Sequence, residues 1–474
     1  MSRFYLTTAI PYVNAKPHIG FALELIQADV IARAHRQAGD EVRFVTGTDE
    51  NALKNVQAAE KSGQAVAEYV GAMSERFREL CRVLNISNDD FIRTTEDRHI
   101  RGAQKLWSSC QPEDIYKKTY TGLYCVGCEQ YYTEDELVDG LCPEHKTRPE
   151  VVSEENYFFK LSRYQAQLEE LIQRDELKVV PETRKNEMLA FIKRGLADFS
   201  ISRSRARAKN WGVPVPGDES QVMYVWFDAL SNYLNALGYA DGADLYRHFW
   251  VENPERVHVI GKGITRFHCI YWPAMLLSAG VLLPTEIFVH GYVTVDGQKM
   301  SKSLGNTVDP VELVQKFGVE PVRYYLLREI PAYEDGDFSE AKFRQRYESD
   351  LANGLGNTFS RVTNMVEKFC NGVVLPGESH CEVEGAVQQF SFDTALAQVQ
   401  ARLKQVDQQI DQAKPWDMVK RGEPVGELML SWVKVLRGIA VALTPFMPET
   451  SRKMVAALTA ERIVKAEPLF PRIT

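Results

Sequence analysis

The opening stretch of the chain constrains the fold more than any other. Residues 3–9 read as a strand, and a loop rich in proline and asparagine follows at residues 11–17. Residues 19–38 carry Ile19, Leu23, Ile26, Val30 and Ile31 near helical spacing, with a stop at Gly39. Val42-Arg43-Phe44-Val45 is the next strand, ending in Thr46-Gly47-Thr48-Asp49. Strand, crossover helix and strand make one βαβ unit of a parallel sheet. Ligands of such sheets bind outside the carboxyl ends of the strands, where His18 and Asp49 fall.

From roughly 110 to 215 this rhythm breaks into short strands, a cysteine cluster and a basic run, which reads as an insertion between two halves of one sheet. The α/β pattern resumes at residues 221–226, with strands at 256–261 and 286–291 around a helix near 265–279. Asp309 and Pro310 start another helix, as N-cap and first-turn residue. From about 340 onward long helical patterns dominate, at 389–411 and 425–444, so the chain ends in a helical bundle.

At 474 residues the chain makes more than one domain. The longest apolar runs are too short for a transmembrane span of about 18 residues. The N-terminus enters a strand directly, without a secretory or transit pattern, so a cytoplasmic location is expected. A net charge of −8 sits poorly with RNA binding but permits a local basic surface. The best local candidate is Ser202-Arg203-Ser204-Arg205-Ala206-Arg207-Ala208-Lys209, which reads equally well as a solvated loop.

Three motifs carry chemistry. Lys16-Pro17-His18-Ile19-Gly20-Phe21 sets a histidine at a strand-to-helix turn, where a helix N-terminus favours anions. Gly297-Gln298-Lys299-Met300-Ser301-Lys302-Ser303 brackets serines with two lysines that can swing onto a polyphosphate. Cys125-x2-Cys128 and Cys142-x2-His145, separated by 13 residues, offer four ligands to one tetrahedral Zn2+. With every position filled by protein, that zinc is structural.

The histidine turn and the lysine–serine loop together resemble the two nucleotide-binding signatures of class I aminoacyl-tRNA synthetases. Taken whole, the chain resembles the methionyl-tRNA synthetases of the short bacterial single-zinc type. The resemblance implies ATP with Mg2+, methionine and tRNA(Met) as partners, methionyl adenylate as intermediate, and no membrane; the lack of the appended dimerisation domain that some members carry leads to the expectation of a monomer. It implies an α/β fold: a Rossmann-type parallel-sheet catalytic core with a zinc-bearing insertion, followed by an all-α anticodon-binding bundle. The expected divisions are 1–110 and 216–305 for the halves of the core, 111–215 for the insertion, 306–345 for a stem-contact region and 346–474 for the bundle.

Residue by residue, the resemblance makes His18, Lys299 and Lys302 catalytic. ATP falls to His18, Gly20, Glu24, Gly261, Lys299, Met300, Ser301, Lys302 and Ser303. Methionine falls to Ile10, Tyr12, Asp49, Trp226, Ala229, Leu230, Tyr233 and His268. Asp49 would hold the ammonium group, and the aromatic residues would make a polarizable wall for a thioether. His268 would donate towards sulfur or fix a pocket tyrosine. Asn357, Arg361 and Trp416 would read and stack anticodon bases.

Three positions depart from the family pattern. Phe21 stands where a second histidine is usual, Asn51-Ala52 where histidine and glycine are usual, and Gly263 where an aspartate is usual. They suggest weakened ATP use or a changed reaction. Two alternatives therefore stand beside a working synthetase. One is a paralogue passing methionine to an acceptor other than tRNA, and the other is a catalytically silent tRNA-binding protein. A synthetase for leucine, isoleucine or valine fits less well, because the insertion is short for an editing domain.

Overall fold

The computed structural model describes residues 2–127, 130–144, 146–300, 306–374, 381 and 383–473. The chain forms two compact units, one of residues 1–17, 40–82 and 87–289, the other of residues 18–39, 83–86 and 290–474.

The first unit is built on a six-stranded sheet. Its strands are β1 (Arg3–Thr8), β2 (Glu41–Thr48), β3 (Asp90–Arg93), β4 (Lys178–Val180), β5 (Glu255–Gly261) and β6 (Glu286–His290). They lie in the order β3-β2-β1-β5-β6-β4. The β3–β2, β2–β1, β1–β5 and β6–β4 pairs are parallel. The chain leaves the centre in both directions from β1 and β5, so the switch point of the sheet lies between them. β1 is buried from Phe4 to Thr8, as a strand covered on both faces must be. Its carboxyl end runs on to Ile10 and Tyr12, that of β2 to Asp49, and that of β5 to Gly261.

The stretch expected as an insertion, 111–215, returns one strand, β4, to the edge of the core sheet, and also forms a four-stranded antiparallel sheet whose long pair is Ile115–Cys125 with Glu150–Phe159. The basic run is spent on contacts within the first unit. Arg203 and Arg207 lie over the Tyr124 ring, 4.9 and 4.5 Å from its centroid, and Arg203 also lies over Tyr224. Lys209 pairs with Glu60 at 2.5 Å. Cation–π packing on Tyr124 therefore takes two of the four cations of the run and an ion pair takes a third, leaving Arg205 exposed.

In the second unit, helix α1 (Ile19–Ala38) begins on a His18 N-cap and ends on Gly39. Gly39 has φ +92°, the left-handed value that favours glycine, and its N–H bonds Arg36 O. Buried Asp29 on α1 meets buried Arg323 at 2.7 Å. Arg323 also donates to the carbonyls of Phe446, Pro445 and Leu84, so the ion pair is enclosed in hydrogen bonds. Asp309 caps the helix at Pro310–Phe317 by accepting from Val311 N. All described regular structure after residue 340 is helical, including Phe392–Ala413 and Gly426–Ala442. No described helix is long and apolar enough to cross a membrane.

Candidate active site

The first unit gathers a cluster at the carboxyl ends of β1, β2 and β5. Asp49 N–H bonds Pro11 O at 2.9 Å, which draws Tyr12 alongside Asp49. The next residue, Glu50, is fully buried and clamped by Arg93 through two bonds of 2.7 and 2.9 Å, with Thr95 as a third donor. A short helix, α2 (Val225–Leu230), brings Trp226, Ala229 and Leu230, and Tyr233 follows it. Trp226 stacks on Phe267 with centroids 3.8 Å apart, and meets Tyr12 and His268 edge-on at 6.3 and 6.4 Å. Asp49, Tyr233 and His268 are buried.

Hydrogen bonding fixes the state of His268. Its Nδ1 faces Ile264 O at 3.0 Å, so that nitrogen carries the proton, and Nε2 accepts from the Tyr233 hydroxyl at 2.6 Å. His268 therefore orients a tyrosine and has no N–H left to aim at sulfur. Burial pushes its pKa down to about 4. A lowered histidine pKa keeps the ring neutral until the pH falls towards that value, where a new proton on Nε2 would oppose the tyrosine O–H. The Tyr233–His268 hydrogen bond is therefore expected to persist unchanged from pH 8 down to about 5.5.

A second histidine lies behind this layer. His258 stacks on the Tyr233 ring at 4.1 Å. Trp272 Nε1 donates to His258 Nε2 at 3.2 Å, so Nδ1 carries the proton and donates to Thr7 at 2.7 Å. Burial, then the neighbouring His268, holds its pKa well below the usual value. The sequence reading missed it. The available signal was a lone histidine within the apolar strand Val257-His258-Val259-Ile260.

The nucleotide candidates divide between the units. Gly261 closes β5 in the first, and Gly263 is exposed in the turn after it. In the second unit, His18 Nδ1 accepts from Gly20 N–H at 3.1 Å, which leaves the ring proton on Nε2. Although the ring touches solvent, the surrounding chain desolvates it and lowers its pKa from the usual 6.5. A Cβ at Gly20 would sit 3.0 Å from His18 Cε1 and 3.5 Å from Met300 Cε, so a larger residue there would press the ring off its present place over this turn. Glu24 is buried and bonds His290 Nε2 at 2.9 Å, while His290 Nδ1 faces Gly291 O. Phe21 packs inward, 8% exposed. The Lys299 backbone pairs with Thr294, and Ser301, Lys302 and Ser303 lie outside the described residues.

Of the zinc quartet, Cys125 and Cys142 are buried in one small cluster with Tyr132 and Leu137. Cys128 and His145 lie outside the described residues. In the bundle, Asn357 and Arg361 lie one turn apart on α3 (Asn357–Cys370). The Arg361 guanidinium is held by Asp407 and Asp411 of α4 (Phe392–Ala413), at 3.0 and 2.9 Å. Lys414, at φ +45°, ends α4, and the next helix starts at Pro415 with Trp416 39% exposed.

The family model described as "tRNA synthetases class I (M)" matches residues 4–149 and 145–363. The chain is 41% identical to a methionine–tRNA ligase of Clostridium tetani over 99% of this chain and 78% of that one. It is 40% identical to that of Brucella melitensis, over 97% and 92% respectively. The chain belongs to the methionyl-tRNA synthetases. Among solved structures, Mycobacterium tuberculosis methionyl-tRNA synthetase in complex with methionyl-adenylate superposes with a TM-score of 0.91. It shares 38% identity, and the match covers all of both chains. Kinship over the full length sets this member among the tRNA ligases and weighs against a silent or redirected paralogue. Its departures from the usual synthetase pattern at Phe21, Asn51-Ala52 and Gly263 are therefore changes within a working framework.

Proposed function

We propose that this chain activates methionine with ATP and transfers it to the 3′ end of tRNA(Met). Asp49 holds the substrate ammonium group by a charge-assisted hydrogen bond. Ile10, Tyr12, Trp226, Ala229, Leu230 and the Tyr233–His268 pair enclose the side chain, whose soft thioether suits an aromatic wall. A methionine carboxylate oxygen attacks the α-phosphorus, an O–P bond forms, and the bond to the bridging oxygen breaks to release pyrophosphate. His18 donates from Nε2 to phosphate oxygen as charge shifts. Lys299 and Lys302, with Met300, Ser301 and Ser303, follow the departing pyrophosphate. By the resemblance, Gly20 and Glu24 of the second unit and Gly261 of the first also serve ATP, whose phosphates carry Mg2+. The terminal ribose hydroxyl of tRNA then attacks the acyl carbon, and AMP leaves.

The observation that carries this reading is the pocket itself: a buried carboxylate beside aromatic residues held in one protonation state, at the carboxyl edge of the parallel sheet. Cys125, Cys128, Cys142 and His145 would hold one zinc, which would tie together an insertion with little core of its own. Two buried thiols in one small cluster support that fit. Asn357, Arg361 and Trp416 receive the anticodon, with Arg361 steadied by its two aspartates. The protein acts in the cytoplasm, where tRNA is charged. Charging of a tRNA(Met) transcript tests the reading. Trp416→Ala is expected to raise the tRNA KM about tenfold and leave pyrophosphate exchange unchanged. Failure to charge tRNA(Met) would refute the proposed reaction.

A further inference from the structure

Asn51 stands where the family resemblance leads one to expect histidine, and its surroundings are built for an amide. Its backbone N–H donates to Asp49 Oδ1 at 3.1 Å. Its side-chain Nδ2 donates to Asp228 Oδ2 at 2.6 Å and to Thr94 O at 3.2 Å. The two hydrogens of one nitrogen thus serve acceptors on two separate elements, which also fixes which way the amide faces. An imidazole carries no more than one hydrogen on each nitrogen and could not reproduce this fork from one atom.

Asp228 lies on α2, between Trp226 and Ala229, and is fully buried. Its second oxygen takes His99 Nε2 at 2.5 Å. Asn235 Nδ2 donates to His99 O at 3.2 Å and to Ser231 Oγ at 2.7 Å, and Ser231 donates in turn to Asp228 O at 2.6 Å. Gly102 makes room for this, since a Cβ there would meet Asn235 Oδ1 at 1.9 Å. The neighbouring Ala52, the other half of the departure, is buried against Tyr224 and Val225, with Tyr12 and Trp226 packed on the same cluster. Both changed residues therefore reach the helix that carries the pocket.

We infer that Asn51 is a positioning residue for methionine recognition, which ties the Asp49 carboxylate to α2 through Asp228. The inference rests on the proposed methionine site. Loss of the amide leaves one oxygen of a buried carboxylate without its donor and loosens α2 against the Asp49 turn.

Two readouts on Asn51→Ala test it: kinetics of pyrophosphate exchange, and amide hydrogen exchange across residues 225–233. The methionine KM is expected to rise about five- to tenfold, with the ATP KM and kcat within about threefold of the parent. Hydrogen exchange across 225–233 is expected to quicken. On an Asp228→Asn background, Asn51→Ala should add little further effect. Equal rises in both KM values, full additivity with Asp228→Asn, or unchanged exchange across 225–233 would each overturn the inference. A parent enzyme without methionine-dependent activity would instead refute the proposed reaction. The hydrogen-exchange comparison would still decide whether Asn51 ties the turn to α2.

Discussion

Asp49→Ala is expected to lower kcat/KM for methionine activation by about a hundred- to a thousandfold, with little change in the ATP KM. Asp49 is buried, and its backbone is fixed on both sides. Its N–H bonds Pro11 O, and its carbonyl accepts from Asn55 Nδ2 at 3.0 Å. The carboxylate is thus presented by a turn that is itself pinned through Glu50 and Arg93. Removing one partner of a desolvated charge pair costs about 2–5 kcal/mol, because the other charge is left without compensation. An ammonium group brought into this site would meet that penalty in full. Asp49→Asn, which keeps shape and loses charge, should retain only a small part of the activity. Competition by a methionine analogue lacking the α-amino group separates charge from shape. The parent should bind the analogue far more weakly than methionine, and the alanine variant should scarcely distinguish the two.

The second large effect belongs to His18. His18→Ala is expected to lower the kcat of pyrophosphate exchange by about a hundred- to a thousandfold, the usual consequence of removing one preorganised donor from developing charge. The methionine KM should move little, since the contact strengthens only as the phosphate reorganises. The Gly20 N–H on Nδ1 directs the ring proton to Nε2, and the lowered pKa keeps the ring in this neutral form. Protonation would set a second N–H against the Gly20 N–H, donor against donor. The sign follows: the rate should hold as pH falls through 6.5 and decline only below the lowered pKa. His18→Gln, whose amide can reach the region of Nε2, should recover part of the loss. A decline centred at or above 6.5 in the pH profile of kcat would contradict this assignment.

Local patterns in the sequence were enough to read much of the fold. The first helix is expected at 19–38 and occupies Ile19–Ala38, because its apolar spacing and its Gly39 stop are both local signals. The helices expected at 389–411 and 425–444 occupy Phe392–Ala413 and Gly426–Ala442 for the same reason. The ends of β2 and β5 were equally legible, which placed Asp49 and Gly261 at the edge of the sheet. The α/β pattern read at 221–226 was not: its strand, Asp218–Met223, belongs to a separate three-stranded antiparallel sheet, and Trp226 lies on the helix that follows.

Pairings distant in sequence were not legible. Asn51 read as the loss of a family histidine, because its partner Asp228 is 177 residues away. His258 went unnoticed because the residues that settle its protonation, Thr7 and Trp272, come from other elements. The basic run at 202–209 read as an open question between RNA and solvent. Charge alone does not reveal that Tyr124 and Glu60 receive it. His268 was expected either to donate towards sulfur or to fix a tyrosine, and its bond to Ile264 O decides for the tyrosine.

Methionine-dependent exchange of labelled pyrophosphate into ATP, on the purified zinc-loaded protein with leucine as comparator, tests the central claim most directly. The account predicts robust exchange with methionine and little with leucine, despite Phe21 and Gly263. No exchange from a folded sample, or equal exchange with leucine, would contradict it.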